Sequence, residues 1–108
     1  MPLPWRNGGQ MRIEIRPAFN EAVMAAELPV RKAAAKILVL LQSMELADLW
    51  THHGLHFEKL HAMIEPSTGN QLYSLRVTGS ARAITCLLSG PTLVLVSLHV
   101  QHDKAYRK

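Results

Sequence analysis

LYSLRVTGSARAITCLLSGPTLVLVSLH, residues 72–99, decides the fold. Its side chains change character with a period near two, and aliphatic and β-branched residues dominate. Thr78-Gly79-Ser80 and Ser89-Gly90-Pro91-Thr92 break the run with turn-forming residues. Strands joined by such short turns pair as an antiparallel meander. On the first strand Tyr73, Leu75 and Val77 share one face, and Leu72, Ser74 and Arg76 share the other. The Tyr73 set is the inward one, which leaves Arg76 on the open face of the sheet. Arg82 opens the next strand just across the Thr78–Ser80 turn, close enough for the two guanidinium groups to converge on one anion. On the last strand, unbroken alternation puts Leu93, Leu95, Ser97 and His99 together, with His99 at the end.

Working outward toward the N-terminus, MRIEIR (11–16) alternates Met11, Ile13 and Ile15 with Arg12, Glu14 and Arg16, the pattern of a half-buried strand. Pro17 ends it. A short helix follows, with Phe19, Val23 and Ala26 at helical spacing and Asn20 as its cap. LPVRKAAAKILVLLQSM (28–44) is a longer helix. Pro29 sits in its first turn, where the missing N–H costs nothing. Val30, Ala33, Ala34, Ile37, Leu38, Leu41 and Met44 lie on one face, and Arg31, Lys32 and Lys36 lie mostly away from it. The two helices form a hairpin, and ELADLW adds a further helical turn. The order is β-α-α-β-β-β: a two-layer α+β domain, with a mostly antiparallel sheet carrying a helix hairpin on one face.

The chain has 108 residues, 48% hydrophobic and 19% charged, which suits one globular domain over residues 11–108 behind a loose tail at 1–10. Its net charge of +4 is compatible with a nucleic acid or an acidic protein as partner. The single cysteine, Cys86, excludes an intrachain disulfide and a cysteine-based zinc site, and favours a reducing, cytoplasmic setting. Its neighbours ITCLL mark it as a buried small hydrophobe. No apolar run is long enough to span a bilayer, and MPLPWRNGGQ lacks the apolar core of a secretory signal.

THHGLHFEKLH (51–61) gathers four of the six histidines. His52 and His56 could share a helical face, but Gly54 between them weakens that helix, and there is no HExxH pattern. The stretch reads as the link from the helices to the meander, with Gly54 in a turn and Leu55, Phe57 and Leu60 packed. His53 or His56 could lean into the cleft.

HHGLHFEKL, LYSLRVTGSARAITCLL and LVLVSLHVQHDK, in this order and spacing, resemble the RelE/ParE superfamily of toxins, and within it the HigB-like, phage-related branch. The resemblance runs from about Met11 to Lys108. It rests on Gly54, Lys59-Leu60, Tyr73, Leu75-Arg76, Arg82 and the strand from Leu93 to His99. It implies a RelE-like fold and the toxin of a type II toxin–antitoxin pair. Such a toxin is an endoribonuclease that cuts mRNA, usually on the ribosome, without a metal or other cofactor, and is neutralised by a cognate antitoxin. The same superfamily includes ParE-type gyrase inhibitors, and an inactive relic that only binds an antitoxin is a further alternative.

Metal-free RNA cleavage needs a group to take the 2′-hydroxyl proton, charge to stabilise the phosphorane, and a group to protonate the leaving 5′ oxygen. Arg76 and Arg82 suit the second task. His99, His102, Asp103 and Tyr106 offer the proton carriers or a stacking ring, with His102 ranked above His99 because the tail can reach the open cleft. Lys59, Lys104, Arg107 and Lys108 are the expected RNA-backbone contacts. Two departures stand out: Gln101-His102-Asp103-Lys104 replaces the consecutive lysines of many relatives, and the chain stops at Lys108 where many continue into another helix. The first leaves the acid and base open; the second raises the expectation of a weakened toxin.

Overall fold

The computed structural model describes residues 11–101. The expected N-terminal tail therefore lies outside the described residues. Strand β1 (Arg12–Ile15) leads into helix α1 (Pro17–Ala25), helix α2 (Leu28–Gln42), a single helical turn α3 (Asp48–Thr51) and a 3-10 turn (His53–Leu55). Four strands follow: β2 (Glu58–Ile64), β3 (Gln71–Arg76), β4 (Ala81–Leu88) and β5 (Thr92–Val100). The sheet order is β1-β5-β4-β3-β2, antiparallel throughout except for β1, which runs parallel to β5. This is the expected α+β architecture with one more strand.

The prolines set the helix starts. Pro17 and Pro29 each occupy the first turn of a helix, where no N–H is needed. Asn20 is therefore inside α1 rather than its cap; Arg16 holds the cap position with extended backbone. Helix α2 turns Val30, Ala34 and Leu41 into the core, with Met44 buried just beyond its end, and leaves Arg31, Lys32 and Lys36 exposed. Phe19 of α1 joins them against Leu75, Ala81, Ala83, Leu93, Leu95 and Leu98 of the sheet. Leu41, Leu49, Leu55, Leu75, Leu93 and Leu95 are each no more than 1% exposed. Burying one such side chain contributes about 1.5–3 kcal/mol. Because Leu49 and Leu55 are among them, the histidine-bearing segment is anchored to the core from both sides.

The additional strand, β2, starts inside the stretch expected to be a link. Glu58 pairs with Ser74 and Lys59 with Tyr73, but the next pair is Ile64 with Gln71. Residues in between bulge out, and Ala62 takes a left-handed φ of 64°. The Gln71 side-chain amide fills the gap, donating to the carbonyls of Leu60 (2.6 Å) and Met63 (3.1 Å). Most of β2 is exposed, so it has no period-two burial pattern to read.

Candidate functional site

Three positively charged or titratable side chains form a row across the open face, away from the helices. Arg76 is the register partner of Arg82, and Arg82 is the register partner of His99. Such partners stand about 4.5–5.5 Å apart at their Cα atoms. Leu75, Ala81, Ala83 and Leu98 beside them belong to the helix-side core, so strand alternation turns the row outward. Arg76 thus lies on the open face, as its alternation implied, with Arg82 opposite it.

His99 arrives there by a different route from the one its spacing implied. It does not share a face with Leu93 and Leu95, which are core residues together with Leu98. Ile84 pairs with Ser97, but the next residue, Thr85, pairs with Leu95, so Val96 is an extra residue in β5. This bulge changes the phase of the strand. It buries Leu98 and turns Ser97 and His99 outward to meet Arg82. Ser97, which the sequence reading did not single out, lies 3.1 Å from His99 through Oγ and Nε2. With Nε2 engaged, Nδ1 is the ring nitrogen left for a ligand. The clue was in LVLVSLHV: Leu93 and Leu95 lie out of phase with Leu98 and Val100, and only an extra residue lets both pairs face the core.

Arg82 is held by the turn between the two strands. Arg82 Nη1 donates to the carbonyl of Thr78 at 2.8 Å and to that of Ala81 at 3.2 Å. Arg76 Nη2 lies 3.9 Å from where a Cβ on Gly79 would stand. Both are half-buried, and His99 is exposed. Among the described residues, neither arginine lies within ion-pair distance of a carboxylate; the ion pairs found there join Arg16 to Glu14 and Glu65. Two adjacent guanidinium groups can together take up a phosphate-like anion.

His56 lies two residues ahead of the first β2–β3 pair, Glu58 with Ser74. His56 has a left-handed φ of 45° and ends the 3-10 turn. With Trp50, His52, His53, Phe57 and Glu58 it lines a shallow depression. Among the described residues, no three His, Cys, Asp or Glu side chains converge as a metal site would require. Lys59 is exposed and pairs with Tyr73, on the face opposite to the arginines. His102, Asp103, Lys104, Tyr106, Arg107 and Lys108 lie outside the described residues.

The other end of the open face is apolar. Leu72, Cys86 and Val94 are buried there, with Leu60, Ile84, Leu88 and Val96 against them. Burial, followed by the nearby Glu65 carboxylate, pushes the Cys86 thiol up, so it is a packed side chain rather than a nucleophile. Glu65 begins the β2–β3 connection and is nearly buried. It accepts hydrogen bonds from the Ser67 hydroxyl (2.6 Å), the Thr68 hydroxyl (2.8 Å) and the Thr68 N–H (3.1 Å). These bonds, with Arg16 3.9 Å away, lower its pKa to about 2.

Helices on one face, a five-stranded sheet and a polar row on the other face define a RelE-like fold. A solved structure with this fold is the crystal structure of the archaeal RelE–RelB complex from Pyrococcus horikoshii OT3. A chain of that complex aligns with a TM-score of 0.61 and 16% sequence identity, over 84% of this chain and 94% of that one. At this identity the likeness is one of fold. No family model and no curated protein matches the sequence. No helix among the described residues is long and apolar enough to cross a membrane.

Proposed function

We propose that this chain is the toxin of a type II toxin–antitoxin pair: a HigB-like, metal-independent endoribonuclease that cuts mRNA on the ribosome. The observation that carries the reading is the Arg76–Arg82–His99 row on the face that the helices leave open. The two arginines hold the non-bridging oxygens of the scissile phosphate and stabilise the charge that grows there. The 2′ oxygen attacks phosphorus, and the bond to the 5′ oxygen breaks. His99 gives its proton to that oxygen. His56, or Asp103 or His102 of the tail, takes the proton from the 2′ hydroxyl. The products are a 2′,3′-cyclic phosphate and a 5′ hydroxyl. Lys104, Arg107 and Lys108 contact RNA backbone, and Tyr106 stacks on a base; Lys59, on the opposite face, does not share in this.

The partner is an antitoxin protein, in keeping with the RelE–RelB pairing of the fold neighbour. A titratable histidine in register with the arginines favours the nuclease over a gyrase inhibitor, which needs no proton carrier. Induced expression should arrest growth and produce mRNA ends at defined positions within codons, mapped by 5′-end sequencing. Arg82→Ala should abolish both. Intact mRNA beside ribosomes, together with blocked DNA supercoiling, would replace this reading with the gyrase one.

A further inference from the structure

The proposed cleavage asks His99 to deliver a proton in one direction, yet His99 is exposed on the open face. Which ring nitrogen of a histidine does chemistry is set by the hydrogen bond that the other nitrogen makes, often to a carboxylate or a backbone carbonyl. Among the described residues no carboxylate pairs with His99. Its register partner Arg82 offers donors only, because a guanidinium has no acceptor. Arg82 Nη1 is also occupied by the carbonyls of Thr78 and Ala81. The side chain that does reach the ring is Ser97, whose Oγ stands 3.1 Å from His99 Nε2.

The backbone beneath Ser97 is firmly seated. Leu95 before the Val96 bulge and Leu98 after it are both buried in the core. Between them the bulge sets Ser97 opposite Ile84 and His99 opposite Arg82, the re-aiming of side chains for which such insertions are used. A hydroxyl oxygen can accept from Nε2–H when the imidazole is cationic and also when it is neutral. Nδ1 is then the nitrogen whose proton comes and goes. We infer that Ser97 is a positioning residue, whose hydroxyl accepts from Nε2–H of His99 and aims Nδ1 at the leaving oxygen. As the bond from phosphorus to the 5′ oxygen breaks, its electron pair stays on that oxygen and takes up the Nδ1 proton, while Nε2 keeps its own proton on Ser97. The inference rests on the reading of His99 as the acid.

The test is single-turnover cleavage of mRNA on programmed ribosomes at saturating protein. Ser97→Ala should cut about 3- to 10-fold more slowly than wild type, the range for loss of one hydrogen bond, with the half-saturating concentration unchanged. Ser97→Thr keeps the hydroxyl and should recover most of the rate. In the His99→Gln background, where the ring and its proton are gone, Ser97→Ala should have no further effect. In the protein alone, proton–nitrogen correlation spectra of neutral His99 should show the Nε2–H form in wild type and a larger share of the Nδ1–H form in Ser97→Ala. The positioning role is overturned if Ser97→Ala cuts at the wild-type rate, if the two spectra agree, or if Ser97→Ala slows the His99→Gln variant by the same factor, which would make Ser97 structural; the nuclease reading then stands without it. A wild type that leaves the mRNA intact overturns both.

Discussion

The open face of the sheet has two ends, and each carries charge in a different way. At the β2–β3 connection Glu65 is surrounded by donors from its own chain: two hydroxyls, backbone N–H groups and the Arg16 guanidinium. At the opposite end Arg76 and Arg82 face each other across a turn, and the described residues offer them carbonyl oxygens but no carboxylate. A charge whose counter-charge lies within its own chain is part of the architecture. Two like charges placed in register repel, and the arrangement lowers its energy when an anion arrives. The contrast separates an ionisable group satisfied within its own chain from a guanidinium pair that the described residues leave without a counter-charge.

The comparison is most exposed to Arg82→Ala. Loss of one preorganised charge donor should lower single-turnover mRNA cleavage by about 10²–10³-fold, while circular dichroism still shows a cooperative unfolding transition. Equal loss of activity and of fold would make Arg82 structural and erase the distinction. His99→Gln keeps the hydrogen-bonding shape of the side chain but cannot carry the proton; cleavage should fall by about 10²-fold, with oligoribonucleotide affinity nearly unchanged. Glu65→Gln should do the reverse, lowering the melting temperature and leaving cleavage at permissive temperature intact. The sign with pH follows from the depressed pKa. The folded carboxylate titrates near 2 and the unfolded one near 4.5, so the stabilisation is complete above the unfolded value and is lost as pH falls toward 2. The gap in melting temperature between wild type and Glu65→Gln should therefore be wide at pH 7 and shrink steadily below pH 4.5.

Much of this was readable from the sequence, and the exceptions have physical causes. Both helices and the outward face of Arg76 followed from period, because the helices and the Arg76 end of β3 bury one face only, and the meander followed from its turn residues and aliphatic runs. Strand β2 was not readable. It is an exposed edge with a bulge, so no burial pattern marks it, and Gly54 and four histidines suggested a link. His99 was identified as a candidate but on the wrong alternation, since a period-two count assumes that no residue is inserted. Val96 is such an insertion; Ser97 was placed beside His99 by the alternation, but its contact with the imidazole was not foreseen. Trp50 was hidden because its partners Phe57 and Tyr73 are brought to it by tertiary packing, not by spacing.

The interrupted pairing of β2 also bears on how copies of this chain meet one another. An edge strand with an unbroken ladder of free N–H and C=O groups invites another edge to dock on it, and aggregation follows. Here regular pairing lasts for Glu58 and Lys59 and then gives way to the Leu60–Met63 bulge, with the Gln71 amide occupying two of its carbonyls. A second β2 laid alongside would find a lysine, a kink and a left-handed residue instead of a straight template. The irregularity works as a guard against edge-to-edge polymerisation.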